Sequence, residues 1–231
     1  MPISKATVRR KVRRAVELLE KHYGKREIIQ SGRPLESLIG TILSQNTSDV
    51  NSHRAHAELR RRFPSMKALA KATPRQIETA IRSGGLARQK SRRIAALLRE
   101  LPLRGGSPSL SHIARMGDDD AIRAMTAIKG VGLKTAACVL LFAVGRDVCP
   151  VDTHVARIAS RVPLAPDART AVKVYHGMGE LIPPGRAGIF HVSLIRLGRE
   201  LCRARAPRCG ECPLRRICCK ASTARKAIRS G

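Results

Sequence analysis

Cysteines in the last thirty residues constrain the fold of this chain more than any other feature. Four of them lie within seventeen positions, at Cys202, Cys209, Cys212 and Cys218. Thiols at these spacings reach one inorganic centre only if the chain wraps tightly around it, which predicts a small metal-built domain. The spacing fits a tetrahedral zinc ion as well as an iron–sulfur cluster. A shift of one residue would let Cys219 replace Cys218 as a ligand.

A disulfide-bonded secreted segment is the alternative explanation for these cysteines. The N-terminal residues contain no continuous apolar core of the kind that a signal peptide needs, and their apolar residues instead follow helical spacing. We therefore expect a cytoplasmic protein with reduced thiols, associated with the nucleoid if it binds DNA. Cys138 and Cys149 lie within or just beyond an apolar run and are expected to be buried.

The chain carries a large positive charge. Of its 231 residues, 45 are lysine or arginine and 17 are aspartate or glutamate, which gives a formal net charge of +28 at pH 7. The basic residues are spread along the whole length, which predicts a folded basic surface with nucleic acid as its natural ligand. Aromatic residues make up only 2% of the chain, which disfavours recognition through stacked single-stranded bases.

Apolar periodicity predicts an all-α fold. Helical spacing recurs from Val12 to Leu19, from Leu35 to Leu43 and from Ile94 to Leu98, and no run alternates cleanly over the length of a strand. The segment from Leu101 to Asp120 is predicted to be a long connection. The last residues, 220–231, are predicted to form a mobile basic tail.

A glycine-containing turn is the second informative segment. Residues 118–128 and 133–144 predict two helices joined by the turn Lys129–Gly132. Glycines permit a positive φ and a close approach of the backbone to a ligand. The second helix begins with unpaired N–H groups, which favour an anion such as a DNA phosphate.

Lys134 and Asp152 are the candidate catalytic residues. Lys134 lies in the first turn of the second helix, where the helix dipole disfavours an ammonium, and a neutral amine is a nucleophile. Asp152 follows eighteen positions later, far enough for the chain to turn back, so its carboxylate could accept a proton or stabilise a cation. Considered singly, the lysine would be solvated and the aspartate a helix cap. Only their combination favours chemistry.

These motifs together resemble the endonuclease III family of DNA glycosylases. Residues 128–136 resemble its helix-hairpin-helix, residues 151–154 its catalytic aspartate motif, and the four cysteines its [4Fe–4S] loop. Residues 43–49 and 84–86 resemble the two loops with which the family fills the gap in DNA. The likeness covers nearly the whole chain.

The resemblance implies an all-α, two-lobed helix-hairpin-helix DNA glycosylase fold. A six-helix barrel would span residues 27–146, with the helix-hairpin-helix at about 118–145, and an iron–sulfur cluster domain would combine residues 1–26 with 147–231. The [4Fe–4S] ligands would be Cys202, Cys209, Cys212 and Cys218. The DNA contacts would come from Gln45, Asn46, Leu86, Gly130, Val131, Gly132, Arg205 and Arg208, and the base pocket from Asp49 and His154.

The resemblance also implies base-excision repair through a covalent intermediate. Lys134 would attack C1′ of a damaged nucleoside with help from Asp152, and the resulting Schiff base would permit β-elimination of the 3′ phosphate. Relatives that only remove a base lack this lysine, so we expect a monomeric glycosylase and abasic-site lyase that acts on damaged, oxidised pyrimidines in double-stranded DNA. Gln45 or Asn46 would fill the gap, with Leu86 as the second wedge.

Two alternatives differ from this interpretation. A non-catalytic, metal-stabilised DNA-binding module would keep the turn for phosphate contact but would not need Lys134 together with Asp152. A mismatch glycosylase for thymine or uracil would share most of the motifs and differ in the base that it removes.

Overall fold

The structure of the chain, a computed structural model, describes residues 4–25, 27–166 and 168–219. Helices dominate this part of the chain, which confirms the all-α prediction, while the predicted basic tail at 220–231 lies outside it. The α-helices of the described residues are α1 Lys5–Tyr23, α2 Pro34–Ser44, α3 Asp49–Arg62, α4 Met66–Lys71, α5 Pro74–Ala80, α6 Ala87–Glu100, α7 Asp118–Thr126, α8 Leu133–Val139, α9 Thr153–Arg161, α10 Ala171–Gly179 and α11 Ala187–Glu200.

The chain divides into two compact units. The inserted unit is Gln30–Arg146, and the split unit combines Met1–Ile29 with Asp147–Gly231. The predicted hairpin lies in the inserted unit, whereas the cysteine-rich segment lies in the split unit together with α1.

The inserted unit is built around α2. Its apolar positions recur at helical spacing, so one face is buried against α3, α6 and α8. Short polar residues begin the neighbouring helices: Ser48 accepts a hydrogen bond from the N–H of Asn51, and Thr73 forms a capping box with Gln76. The buried residues of α2 are Leu35, Leu38, Ile39, Ile42 and Leu43.

The connection predicted between Leu101 and Asp120 contains regular structure. Two strands, β1 (Leu103–Arg104) and β2 (Ser107–Pro108), pair in antiparallel register across Gly105 and Gly106. Both glycines have positive φ, which the tight turn requires. The strands are two residues long, too short to produce a detectable alternation in the sequence.

The split unit has its own apolar core. The inner face of α1 packs against α11, whose Phe190 is 1% exposed, and α9 and α10 complete the unit. An ion pair of 2.8 Å between Glu20 and Arg186 also joins its N-terminal segment to its C-terminal one. Cys149 is 2% exposed in this core and Cys138 is 4% exposed in the inserted unit, which confirms both as buried. None of the helices in the described ranges is long and apolar enough to cross a membrane.

Candidate functional site

The turn between α7 and α8 presents backbone N–H groups. The N–H of Val131 donates to the carbonyl of Ile128 at 2.9 Å, and Gly130 adopts a φ of +81°. Gly132 is the exposed N-cap of α8, and no side chain caps this helix. A Cβ at Gly132 would have no heavy atom within 4 Å. The first amides of α8 therefore remain open to an anion.

Lys134 is the second residue of α8 and is half-buried. Among the described residues its amine has no hydrogen-bond partner and no carboxylate partner. The side chain is therefore not engaged by any other residue that the structure describes.

Asp152 is the N-cap of α9, as the structural alternative for this residue predicts. Its Oδ1 accepts a hydrogen bond of 2.8 Å from the N–H of Val155. Its other carboxylate oxygen has no partner in the described part of the chain. The cap fixes the orientation of the carboxylate and leaves one oxygen for chemistry, so the two interpretations of Asp152 are compatible.

Gln45 and Asn46, the two amides that the sequence left as alternatives, have different surroundings in the loop after α2. The Oε1 of Gln45 accepts a hydrogen bond of 2.8 Å from Nη1 of Arg93, and the residue is half-buried. Asn46 is exposed, with a φ of +52°. Leu86, before α6, is likewise in the left-handed region, with a φ of +48° and 52% of its surface exposed. Both conformations are unusual for residues with a side chain.

Lys90 and Arg93, two cations of α6, contact these loops and were not predicted. Lys90 is 5% exposed, and its Nζ donates to the carbonyls of Leu43 at 2.7 Å and Gly84 at 2.8 Å. Burial in apolar surroundings lowers the pKa of Lys90. A signal for its burial exists in the sequence, since Lys90 shares the apolar face of α6 with Ile94 and Leu97.

Four cysteines of the split unit line one cavity, and they are the four that the spacing predicts as ligands: Cys202, Cys209, Cys212 and Cys218. Burial, with smaller contributions from the neighbouring thiols, raises the pKa of Cys212 to about 11. Within the described ranges, no three cysteine, histidine or acidic side chains are arranged to hold a single metal ion. A soft, all-thiol donor set around a shared cavity suits either zinc or an iron–sulfur centre. Cys219 is exposed and does not line the cavity.

Two arginines of α9 donate hydrogen bonds to the cysteine loop, residues 202–218, and were not predicted from the sequence. Arg161 donates to the carbonyls of Arg203 at 2.7 Å and Ala204 at 3.0 Å, and to Sγ of Cys202 at 3.3 Å. Arg157 donates to the carbonyl of Cys202 at 3.0 Å. These partners lie more than forty positions away along the chain, so no local pattern marks them.

The remaining predicted residues have unequal surroundings. Arg205 is exposed, whereas Nε of Arg208 donates to Glu211 at 2.7 Å. Asp49 is an exposed residue in the first turn of α3. His154 is half-buried, and its Nδ1 lies 3.0 Å from Nη2 of Arg157.

Gly198 of α11 explains how closely His154 is packed. A Cβ at Gly198 would lie 2.5 Å from Nδ1 of His154. The ring is therefore fixed against α11, and roles in a base pocket stay predictions for both Asp49 and His154.

Known proteins are similar to this chain in sequence and in fold. The family profile described as HhH-GPD superfamily base excision DNA repair protein matches residues 39–184. A putative DNA glycosylase of Arabidopsis thaliana is 36% identical over 64% of this chain, but this chain spans only 51% of the plant protein. Endonuclease III of Thermotoga maritima is 32% identical over 80% of this chain and 82% of that protein. A structure of a non-covalent endonuclease III–DNA complex is similar with a TM-score of 0.77 and 25% identity, covering 97% of this chain and 100% of that one.

Proposed function

Because this chain belongs to the HhH-GPD superfamily of base excision DNA repair proteins and is a DNA glycosylase of the endonuclease III type, we propose that it is bifunctional. It releases a damaged base, with oxidised pyrimidines as the expected substrates, and then nicks the strand at the abasic site. It acts on duplex DNA as a monomer in the cytoplasm, on the nucleoid. The single observation that carries this proposal is Lys134, an amine without a counter-ion in the described residues at the start of α8.

The proposed reaction begins with Nζ of Lys134 as the nucleophile. The neutral amine attacks C1′, the bond from C1′ to the base breaks, and the base leaves with the electron pair and takes up a proton. The attacking nitrogen gives up one proton to a general base, and as the C1′–O4′ bond breaks and the sugar ring opens, its second proton goes to O4′, which yields a Schiff base. Loss of the C2′ proton then expels the 3′ phosphate, and water releases Lys134 from the cleaved strand.

Asp152 is proposed to assist before the Schiff base forms. Its uncapped oxygen accepts a proton that the reaction releases and stabilises positive charge that develops on the sugar. One oxygen of this carboxylate caps α9 and the other has no partner among the described residues, which supports the proposal.

DNA is proposed to bind through the open amides of the α7–α8 turn and the exposed Arg205. The amides contact phosphate, which positions the duplex without reading its sequence. Asn46 and Leu86 are proposed to enter the gap that a flipped base leaves, because both are exposed and Gln45 is already bonded to Arg93.

The experiment that tests the chemistry uses borohydride, which reduces a Schiff base to a stable adduct. Duplexes that carry an oxidised pyrimidine, uracil, mismatched thymine or an abasic site are incubated with the wild-type protein and with Lys134→Gln. We expect the wild-type protein to be trapped and the variant to bind but not to form the adduct. Lys129→Gln is the matched control, since it removes a lysine from the adjacent turn and should still trap.

Three outcomes would overturn this proposal. Trapping by Lys134→Gln would place the nucleophile elsewhere. Base release by the wild-type protein without any adduct would identify a glycosylase that lacks lyase activity, and release confined to mismatched thymine or uracil would identify a mismatch enzyme.

We also propose that the four-cysteine cavity holds a [4Fe–4S] cluster. Such a cluster would be ligated by Cys202, Cys209, Cys212 and Cys218 and would stabilise the loop that carries Arg205. Its role would be structural, because none of these thiols is part of the proposed reaction.

Metal analysis tests the cluster independently of activity. The protein purified without air should be yellow-brown and contain four irons per chain if the cluster is [4Fe–4S]. Cys218→Ser should lose iron, whereas the matched variant Cys219→Ser should retain it, since Cys219 lies outside the cavity. A colourless protein with one zinc per chain would contradict the proposal.

A further inference from the structure

Two loops of the inserted unit, each with one backbone-strained residue, lie side by side. The first wedge loop is residues 45–48, after α2, and the second is Gly85 and Leu86, before α6. A Cβ placed on Gly85 would lie 3.9 Å from Oγ1 of Thr47, so the loops are neighbours. Asn46 and Leu86 both hold a positive φ. This conformation is unusual for a residue with a side chain, and a strained conformation persists only where its surroundings impose it.

Lys90 connects the two segments that lead into these loops. The carbonyl of Leu43 is three positions before Asn46, and the carbonyl of Gly84 is two positions before Leu86. One ammonium binds both carbonyls, at 2.7 and 2.8 Å. These bonds satisfy two backbone groups at the ends of helical segments, where no helical N–H follows.

Burying the ammonium of Lys90 costs free energy, and the connection between the two loops gives a reason for that cost. The residue is 5% exposed and has no carboxylate partner in the described part of the chain. A buried charge that only two neutral carbonyls stabilise adds little to overall stability compared with an apolar side chain. What the ammonium supplies, and an apolar side chain cannot, is a fixed spacing between two chain segments that are 41 positions apart, counted from Leu43 to Gly84.

Arg93 extends the connection to the α7–α8 turn. It lies one turn after Lys90 on α6, and its Nη1 donates to Oε1 of Gln45 at 2.8 Å. On the other side its guanidinium packs against Gly130, where a Cβ would lie 3.0 Å from Nε. That Nε is buried and has no hydrogen-bond partner. The guanidinium thus fills the space between the first wedge loop and the phosphate-binding turn.

We propose that α6 preassembles the DNA-distorting surface, with Lys90 and Arg93 as positioning residues. Lys90 sets the spacing of Asn46 and Leu86, and Arg93 holds Gln45 beside the turn so that Asn46 is the amide that enters the gap. The surface then needs little ordering when DNA binds, which leaves more of the binding energy for unstacking the damaged base. This inference rests on the proposed function, because it assumes that the loops enter DNA.

Fluorescence of 2-aminopurine tests the inference without using the enzyme's chemistry. The probe is placed opposite a non-cleavable abasic analogue in a duplex, where it brightens when wedge residues displace it from the stack. We expect the wild-type protein to brighten it and Lys90→Met to lower the displacement equilibrium by about 10-fold, equivalent to about 1.4 kcal/mol. Affinity for an undamaged duplex should change by less than about 2-fold, since phosphate contacts are intact.

Two controls separate a positioning role from a general loss of structure. Lys71→Met removes the same charge from an exposed position at the end of α4 and should brighten the probe as the wild-type protein does. Borohydride trapping on single-stranded abasic DNA needs no gap to be filled, so Lys90→Met should trap there normally. If Lys90→Met displaced the probe like the wild-type protein, or lost displacement, duplex affinity and single-strand trapping together, the inference would fail.

Arg93 gives a second test that does not depend on how Lys90→Met folds. Arg93→Met and Gln45→Ala should each lower the displacement. The double variant should lower it no further than the more affected single variant does, because both substitutions remove the same hydrogen bond between Arg93 and Gln45. Asn46→Ala should lower it more than Gln45→Ala. The opposite order, or additive effects of Arg93→Met and Gln45→Ala, would overturn the assignment. A wild-type protein that brightens the probe but is never trapped would sink the proposed lyase activity and leave this inference standing.

Discussion

At the scale of single residues, Asp152 combines the structural role of a helix cap with a proposed chemical role, and substitutions can separate the two. One oxygen caps α9 and the other is uncapped. Asparagine caps helices about as well as aspartate, whereas replacing a capping residue by alanine costs about 1 kcal/mol. The carboxylate and the cap can therefore be removed one at a time.

We predict that Asp152→Asn keeps the unfolding temperature and duplex affinity of the wild-type protein but slows base release by about 100-fold or more. Cleavage of a pre-formed abasic site should suffer less, since its aldehyde no longer carries a glycosidic bond. Asp152→Ala should lose the same activity and also about 1 kcal/mol of stability. Single-turnover kinetics and thermal unfolding measure the two effects, and unimpaired base release by Asp152→Asn would refute the role.

Gly130 and Gly132 form a second matched pair, because only the first has a backbone that a side chain disfavours. Gly130 has a φ of +81° and Arg93 against it, whereas Gly132 has a φ of −88° and open space. Gly130→Ala should cost about 1–2 kcal/mol of stability and Gly132→Ala less than about 0.5 kcal/mol.

DNA binding should respond to these substitutions without regard to sequence. The contact proposed at the turn is to phosphate, so Gly130→Ala should weaken binding to damaged and undamaged duplexes by the same factor. Fluorescence anisotropy with two unrelated duplexes measures this, and a loss confined to damaged DNA would contradict a backbone contact.

At the scale of elements, α9 supports both the proposed catalytic aspartate and the cysteine loop. Asp152 begins the helix and Arg161 ends it, and Arg161 binds two carbonyls of the loop as well as Sγ of Cys202. Hydrogen bonds from a charged donor each contribute about 1.5–3 kcal/mol. The end of one helix therefore carries much of the stability of the loop.

We predict that Arg161→Met releases iron to a chelator about 10-fold faster or more, since the loss of one such bond is worth that factor. Arg169→Met, an exposed arginine outside the cavity, is the matched control and should release iron at the wild-type rate. Visible absorbance follows the release. Equal rates in both variants would mean that Arg161 does not stabilise the loop.

The helices could be predicted from the sequence because their apolar faces repeat over several turns, as in α2 and α6. The turn before Lys134 was also predictable, since its two glycines, Gly130 and Gly132, lie only two positions apart. The helical pattern of α6 indicates that Lys90 is buried, but the contacts of Lys90 with Leu43 and of Arg93 with Gln45 were not predictable, because they span 47 and 48 positions and leave no local pattern. The positive φ of Asn46 and Leu86 was hidden for another reason: neither residue is a glycine, so the residue type does not indicate this conformation.

At the scale of the whole molecule, the net charge of +28 predicts how binding depends on salt. If the turn and the cysteine loop neutralise about five phosphates, the logarithm of the association constant should fall with the logarithm of salt concentration with a slope of about −4 to −5. Damaged and undamaged duplexes should share this slope and differ only in offset, because the wedge residues carry no charge. Anisotropy titrations at several salt concentrations test this, and affinity that is independent of salt would exclude an electrostatic interface.

The division of the split unit into two chain segments has a consequence for biosynthesis. The ribosome makes α1 first, but α11, against which α1 packs, emerges only after the entire inserted unit has been synthesised. Until then the apolar face of α1 stays uncovered, which exposes a nascent or truncated chain to aggregation. The inserted unit is contiguous and can fold during this interval, whereas the cysteine loop is synthesised after α9 and α11, the helices of the split unit that precede it. If the cysteine loop holds a cluster as proposed, metal can be loaded only after both segments of the split unit have been synthesised.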